Sequence, residues 1–522
     1  MRERGLYRHT LVMAFMTALS RVLGYVRDRT IAYLLGTSYL ADAFYIAFRI
    51  PNTFRRFVAE GAMTASLVPV LSQSFKQDSE ERAWLFARRF FWVFGALLVL
   101  LGIVGVAASP LMVRLLAWEY ASKAPQVYAM TIRLTAIIFP YITLVSLSAI
   151  AQGILNSRDI FGPPSFAPAL MNIAMVAAAW FWGRGSANPA VVLAWGVLAG
   201  GLCQFGFLLP YLKKEGMSFA PAWSLADPHV RQVFTLMLPA MFGAGVSQVI
   251  ILVGTAMGHM VGEGAVSALY YSNRITELAF GLFAVSLSTA VLPRMSRQAI
   301  EGDKAGLSAT LEEALSMVFF DMLPATAGLL ALSGPIVRVL LKTGSFNDES
   351  VAMTSGPLAA YSAGIAVWSL AIVLVRVCHA HRDMMTPFYA GLATLGAYVI
   401  LGLAMLAPFK TTGIAAASSI SAIVNLAWLA WAVSRKYGVK LPWAACGRAL
   451  LRTGLLSLAM GLASWRIYYL LPHGALKASA VALGAAIAAG IVIYGGGAAL
   501  FRFPEMTKAW GILKRKMASR EK

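Results

Sequence analysis

The stretch LVMAFMTALSRVLGYVRDRTIAYLLG, Leu11 to Gly36, decides the fold. It is long and apolar enough to cross a bilayer as one helix, yet it carries Arg21, Arg27, Asp28 and Arg29. An arginine at the centre of a membrane helix costs about 2.5–3.5 kcal/mol on insertion scales, so three in one helix require partners or a use. The segment before it, MRERGLYRHT, supplies the basic lead of a signal peptide. No small-x-small cleavage site precedes Arg21 and the apolar pattern continues to Gly36, so the helix reads as retained.

The rest of the chain repeats this pattern. Of 522 residues 59% are hydrophobic and 13% charged, and the mean hydropathy of +0.70 lies outside the range of soluble globular proteins. Apolar runs of about 20 residues, separated by charged or Gly/Pro-rich breaks, predict an all-α polytopic membrane protein with about fourteen transmembrane helices. Period-2 alternation is absent, which excludes a membrane barrel. The net charge of +21 does not point to nucleic acid, because lysines and arginines alternate from loop to loop. One set of loops holds Lys76, Arg82, Arg88, Lys213, Arg294, Lys304, Arg435 and the tail to Lys522; the other holds Lys123, Arg184, Arg338, Lys342 and Lys410. The positive-inside rule then predicts a multi-pass protein with both termini in the cytoplasm and a basic tail near anionic membrane lipids. Cys203, Cys378 and Cys446 sit singly in or beside apolar segments and read as core fillers, with no metal spacing and no cofactor implied.

Sliding the chain on itself gives a recurring offset of 224. Leu67–Gln73 falls on Val291–Arg297, and Asn156–Pro163 on Ala380–Pro387, matching Arg158-Asp159 with Arg382-Asp383. A duplicated six-helix unit has an even number of crossings, so its two copies share one orientation. The predicted organisation is an N-terminal lobe of helices one to six (1–220), a parallel lobe of helices seven to twelve (221–440), two added helices (441–505) and a basic tail (506–522). Two such lobes around a central cleft suit alternating access.

The remaining intramembrane charges cluster. On the second helix Asp42, Tyr45, Arg49, Asn52, Arg56 and Glu60 fall near one stripe, with Arg55 beside it; on the eighth, Tyr270, Arg274, Glu277, Gly281 and Ser288 do the same. A structural reading pairs Arg27, Arg29 and Arg56 with Asp28, Asp42 and Glu60, and Arg274 with Glu277. Arginines still outnumber carboxylates, which suits an anionic ligand, and the guanidinium fork matches a pair of phosphate oxygens. The chain carries no HExxH, P-loop or GxSxG motif, so a membrane enzyme acting on polyprenyl-diphosphate sugars is the weaker alternative.

The segments SRVLGYVRD, ADAFYIAFRIPNTFRRFVAEGA, PVLSQ, GILNSRDIFGPP and LLKTGSFN resemble, in order and spacing, the MurJ (MviN) lipid II flippases of the multidrug/oligosaccharidyl-lipid/polysaccharide exporter superfamily. The resemblance implies fourteen helices and export of lipid II, the undecaprenyl-diphosphate-linked peptidoglycan precursor, across the inner membrane during cell-wall synthesis, alongside the cell-wall machinery. It also implies functional roles for Arg21, Arg27, Asp42, Arg55, Arg274 and Glu277. With Arg49, Arg56 and Glu60 from the stripes, these form the expected cationic cavity. Some relatives use an acid in helix seven for sodium; LMLPAMFGAGVSQVIILVGTAMG has none, which disfavours sodium, keeps drive by the membrane potential open and leaves Asp383 as the one acidic coupling candidate. An exporter of another lipid-linked oligosaccharide or of a drug is the alternative within the superfamily.

Overall fold

The computed structural model describes residues 2–58 and 62–507, so Glu60 and the basic tail past Thr507 lie outside the described residues. The described chain is helical, its one β feature being a bridge between Thr343 and Phe346. In order the helices are α1 (Arg2–Leu35), α2 (Tyr39–Val58), α3 (Ala62–Gln77), α4 (Glu80–Ala107), α5 (Ser109–Leu116), α6 (Tyr120–Lys123), α7 (Pro125–Ile138), α8 (Tyr141–Ser157), α9 (Gly162–Ala178), α10 (Pro189–Lys214), α11 (Pro228–Val261), α12 (Ala265–Ile300), α13 (Lys304–Ala331), α14 (Ser333–Leu341), α15 (Asp348–Ala380), α16 (Met385–Arg435), α17 (Trp443–Leu470) and α18 (Leu476–Leu500).

Among the described residues nine helical segments are by themselves long and apolar enough to cross a membrane. One of them, α16, is two helices joined where Lys410 leaves the helical region (φ 50°, ψ −131°) just after Pro408. With α1, α2 and α3 taken as one span, α11 and α17, the described helices are consistent with about fourteen crossings. Large apolar side chains point outward along these helices, as Leu97, Leu100 and Ile103 do on α4 and Leu455, Leu458 and Leu462 on α17, which is the lipid-facing pattern.

Helix lengths repeat. Both α1 and α11 have 34 residues, α4 and α13 have 28, and α7 with α8 (Pro125–Ser157) matches α15 at 33. Side-chain caps start the equivalent α4 and α13: Ser79 accepts from Arg82 N, and Asp303 from Gly306 N. Equivalent turns end α8 and α15, where Ile160 N donates to Leu155 O at 3.0 Å and Asp383 N to Cys378 O at 2.9 Å. This six-to-one closure needs a left-handed residue, supplied by Asp159 (φ 61°) and Arg382 (φ 57°). The backbone therefore equates Asp159 with Arg382, an offset of 223, one residue away from the match of the two Arg-Asp pairs.

The chain forms two compact units, Met1–Ser267 with Thr343–Asn347, and Ala268–Lys342 with Asp348–Lys522. In the first, α1 packs on α9 while α2 packs on α7 and α11, and a core of Leu67, Phe86, Phe90, Phe94, Ile150 and Ile154 joins α3, α4 and α8. In the second, α13 packs on α15 and α17, and α15 on α16, around Leu311, Met322, Val373, Leu374, Val377 and Leu429.

Candidate functional site

In the first unit the polar residues of α1 and α2 separate into those engaged within the fold and those that line it. Arg27 is buried, its Nε and Nη2 donating to Asp28 Oδ1 at 3.0 and 2.6 Å and its Nη1 to Asn172 Oδ1 on α9 at 3.0 Å. Neighbours along a helix do not normally face each other; the long arginine side chain turns back to reach Asp28, and the buried charge is thereby paired. Asn172 is legible only as a single amide in the apolar α9, and the sequence reading missed it. Arg21 lies exposed on the same helix, and half-buried Arg29 donates to Tyr25 Oη at 3.3 Å.

Asp42 is wholly buried near the start of α2. Its Oδ2 accepts from Gly264 N at 2.8 Å and Tyr120 Oη at 3.2 Å, and its Oδ1 from Ser267 N at 2.8 Å. A carboxylate accepting from the first amides of α12 completes that helix end and meets its positive dipole. Gly264 (φ +76°) allows this approach, because a Cβ there would meet Thr37 O at 2.7 Å. Beside this cap, Tyr39 N donates to Glu263 Oε1 at 3.2 Å, so the turn Gly36–Asp42 and the turn before α12 meet within one unit. Buried His259 closes the same corner, with Trp118 and Tyr120 packed edge-on at 4.5 and 5.7 Å.

The LLKTGSFN segment contributes to this corner too. Ser345 N donates to Tyr33 O at 2.9 Å and Ser345 Oγ to Leu34 O at 3.2 Å, seating the loop on the last turn of α1. Gly36 (φ +56°) leaves room for it: a Cβ would lie 2.4 Å from Ser345 O.

Farther along α2, half-buried Arg49 bonds the Thr255 hydroxyl of α11, while Arg55 and Arg56 are half-buried in the last turn. In the second unit Arg274 and Glu277 pair on α12 at 3.4 Å with more than a third of each side chain exposed, and Glu277 also accepts from Asn273 at 3.1 Å. Ser288, on the same stripe, accepts from Arg376 of α15 at 3.4 Å. Arg376 is a further intramembrane cation that the sequence reading missed, although a lone arginine in AIVLVRVCHA was its signal.

Asp383 lies in the turn between α15 and α16 and caps α16, accepting from Met385 N and Thr386 N at 2.9 Å, Thr386 Oγ1 at 2.7 Å, Tyr437 Oη at 2.8 Å and Lys436. Burial alone would raise this carboxyl, but the bonds from Lys436, Thr386 and Tyr437 outweigh it and hold it below the ordinary carboxylate range.

Comparison with known proteins follows the same lines. The family model described as lipid II flippase MurJ matches residues 31–493. The probable lipid II flippase MurJ of Vibrio cholerae is 34% identical over 433 residues, 82% of each chain. The lipid II flippase MurJ of Burkholderia cenocepacia is 34% identical over 75% of this chain and 76% of its own. A solved structure of the lipid II flippase MurJ in an inward closed conformation superposes with a TM-score of 0.78 at 26% identity, covering 94% of this chain and 98% of that one. A multidrug resistance MATE family transporter of the MOP superfamily shares the fold at 14% identity and a TM-score of 0.65, over 81% of this chain and 98% of its own.

Proposed function

The chain belongs to the MurJ family of lipid II flippases, and from that premise we propose that it moves lipid II from the cytoplasmic to the periplasmic leaflet of the inner membrane by alternating access. The observation that carries the reading is the charge balance of α1 and α2. Between residues 20 and 58 six arginines (Arg21, Arg27, Arg29, Arg49, Arg55 and Arg56) face two acids, Asp28 and Asp42. Asp28 is spent on Arg27, and Asp42 on backbone amides and a tyrosine. The surplus is cationic, which fits a diphosphate and disfavours a cationic drug. On this reading Arg274 joins the phosphate-binding set with Glu277 orienting its guanidinium, two parallel six-helix lobes rock, and both termini lie in the cytoplasm, which the alternation of basic loops in the sequence supports.

The test is leaflet access. Purified protein in vesicles with fluorescent lipid II should expose the inner-leaflet label to a membrane-impermeant quencher while the lipid stays chemically intact. A changed lipid mass would identify an enzyme instead, and a label that stays protected would refute transport of this lipid.

A further inference from the structure

The second unit holds a cation outside the set described so far. Its helices α12 and α15 run side by side in the same direction. Toward their starts Ser272 Oγ donates to Thr354 O at 2.8 Å, and toward their ends Arg376 Nη2 donates to Ser288 Oγ at 3.4 Å. The two helices also share one apolar core, Ala284 and Met295 of α12 with Val373, Leu374 and Val377 of α15, so Arg376 is held in a fixed place.

The surroundings of Arg376 leave its charge unanswered. The Ser288 hydroxyl donates its own proton to Val285 O at 3.0 Å, so it offers the guanidinium a neutral oxygen over a long bond. Nε is buried with no acceptor, and Arg376 forms no ion pair among the described residues. Most of the five donors of this half-buried guanidinium are therefore unused. Arg376 stands four residues before the end of α15 at Ala380, where an arginine that only snorkelled would extend its head into water. This side chain folds back onto α12 instead.

The position on α12 says what the spare donors face. Ser288 lies fourteen residues beyond Arg274, close to four whole turns, so Arg376 meets the stripe that carries Arg274 and Glu277, about 21 Å farther along it. A diphosphate is too small to touch both arginines at once. On the orientation proposed above, the ends of α12 and α15 are cytoplasmic. Arg376 then lies at headgroup depth in the leaflet from which the substrate comes.

We propose that Arg376 is a first station for the lipid II diphosphate, capturing it at the cytoplasmic headgroup level before it moves along the α12 stripe to Arg274. A phosphate oxygen supplies the charged acceptor that Ser288 is not, and the guanidinium fork suits it. The inference rests on the flippase reading and adds an entry site to it.

The test is a titration of flipping against lipid II content in phosphatidylcholine vesicles. An entry contact governs capture, so Arg376→Gln should raise the lipid II content at half-maximal flipping about tenfold and leave the saturating rate within about twofold of wild type. Arg376→Lys should fall between the two. Should Arg376→Gln fail to fold, Ser288→Asp serves in its place: it gives Arg376 a carboxylate within its own unit and should shift the half-maximal content in the same direction. Superimposable titrations of wild type and either folded variant would overturn the proposal. A lower saturating rate at unchanged half-maximal content would also overturn it, by assigning Arg376 to the fold alone. Native mass spectrometry with added phosphatidylglycerol separates the two sources of phosphate: loss of that lipid from Arg376→Gln with an unchanged lipid II titration would make the arginine an ordinary headgroup contact. Wild-type protein that flips no lipid II at any content would refute the flippase reading itself, and the station with it.

Discussion

At Asp42 three donors meet one carboxylate, and two of them are backbone amides that only an acceptor can satisfy. Asparagine is nearly isosteric but turns an N–H₂ toward one of these donors. Asp42→Asn should therefore cost about 1–3 kcal/mol of stability, read as a lower melting temperature in detergent and as weaker hydrogen-exchange protection at the start of α12. An unchanged melting temperature and unchanged protection would show that the cap is dispensable. Arg274 poses the opposite case, since more than a third of its side chain is exposed. Arg274→Ala should leave the protein folded and present in the membrane at wild-type levels while abolishing complementation of a flippase-depleted strain. Lysine should restore only part of the activity, because it keeps the charge and loses the fork. Normal growth with alanine would remove Arg274 from the phosphate-binding set.

At the scale of elements, turns and caps carry the information that helix periodicity lacks. Matching identical residues aligned Arg158-Asp159 with Arg382-Asp383, yet the hydrogen-bonded turn equates Asp159 with Arg382, because closing a helix end requires a left-handed residue at one position whatever its side chain. The displaced aspartate takes a different task. Asp383 caps α16 and binds Lys436, the residue that follows its C-terminal end, so Asp383→Ala should destabilise the protein by roughly 1–2 kcal/mol. Its carboxyl is held low in the folded state, so the stabilisation is complete above the unfolded carboxylate range and fades as the pH falls through the folded value. Melting curves from pH 7 downward should converge for wild type and Asp383→Asn in acid; parallel curves would contradict the linkage. The meeting of the turns before α2 and α12 gives a third expectation. Cysteines at Ser38 and Glu263 should crosslink under mild oxidation, since Tyr39 N already touches Glu263. Transport should stop until the bond is reduced, and flipping at the uncrosslinked rate would rule out parting of these turns.

For the whole molecule, the alternation of basic loops makes topology measurable. Single cysteines replacing Lys123, Lys342 and Lys410 should react with an impermeant maleimide in intact cells, and those replacing Lys76, Lys213 and Lys304 should not. External labelling at position 213 would break the fourteen-helix reading in its first half. The sequence by itself determined the helical polytopic architecture with about fourteen crossings. A bilayer obliges every crossing to satisfy its backbone within its own helix, so each leaves a local apolar signature, even Leu11–Gly36 with its arginines. Only the tertiary structure decided how the charges are used. Arg27 is neutralised by Asp28 and hydrogen-bonded to Asn172, and Asp42 serves the start of α12. Whether an intramembrane charge is neutralised or left to act depends on which helix packs beside it. Those partners are separated by long stretches of chain, across which residue spacing carries no signal.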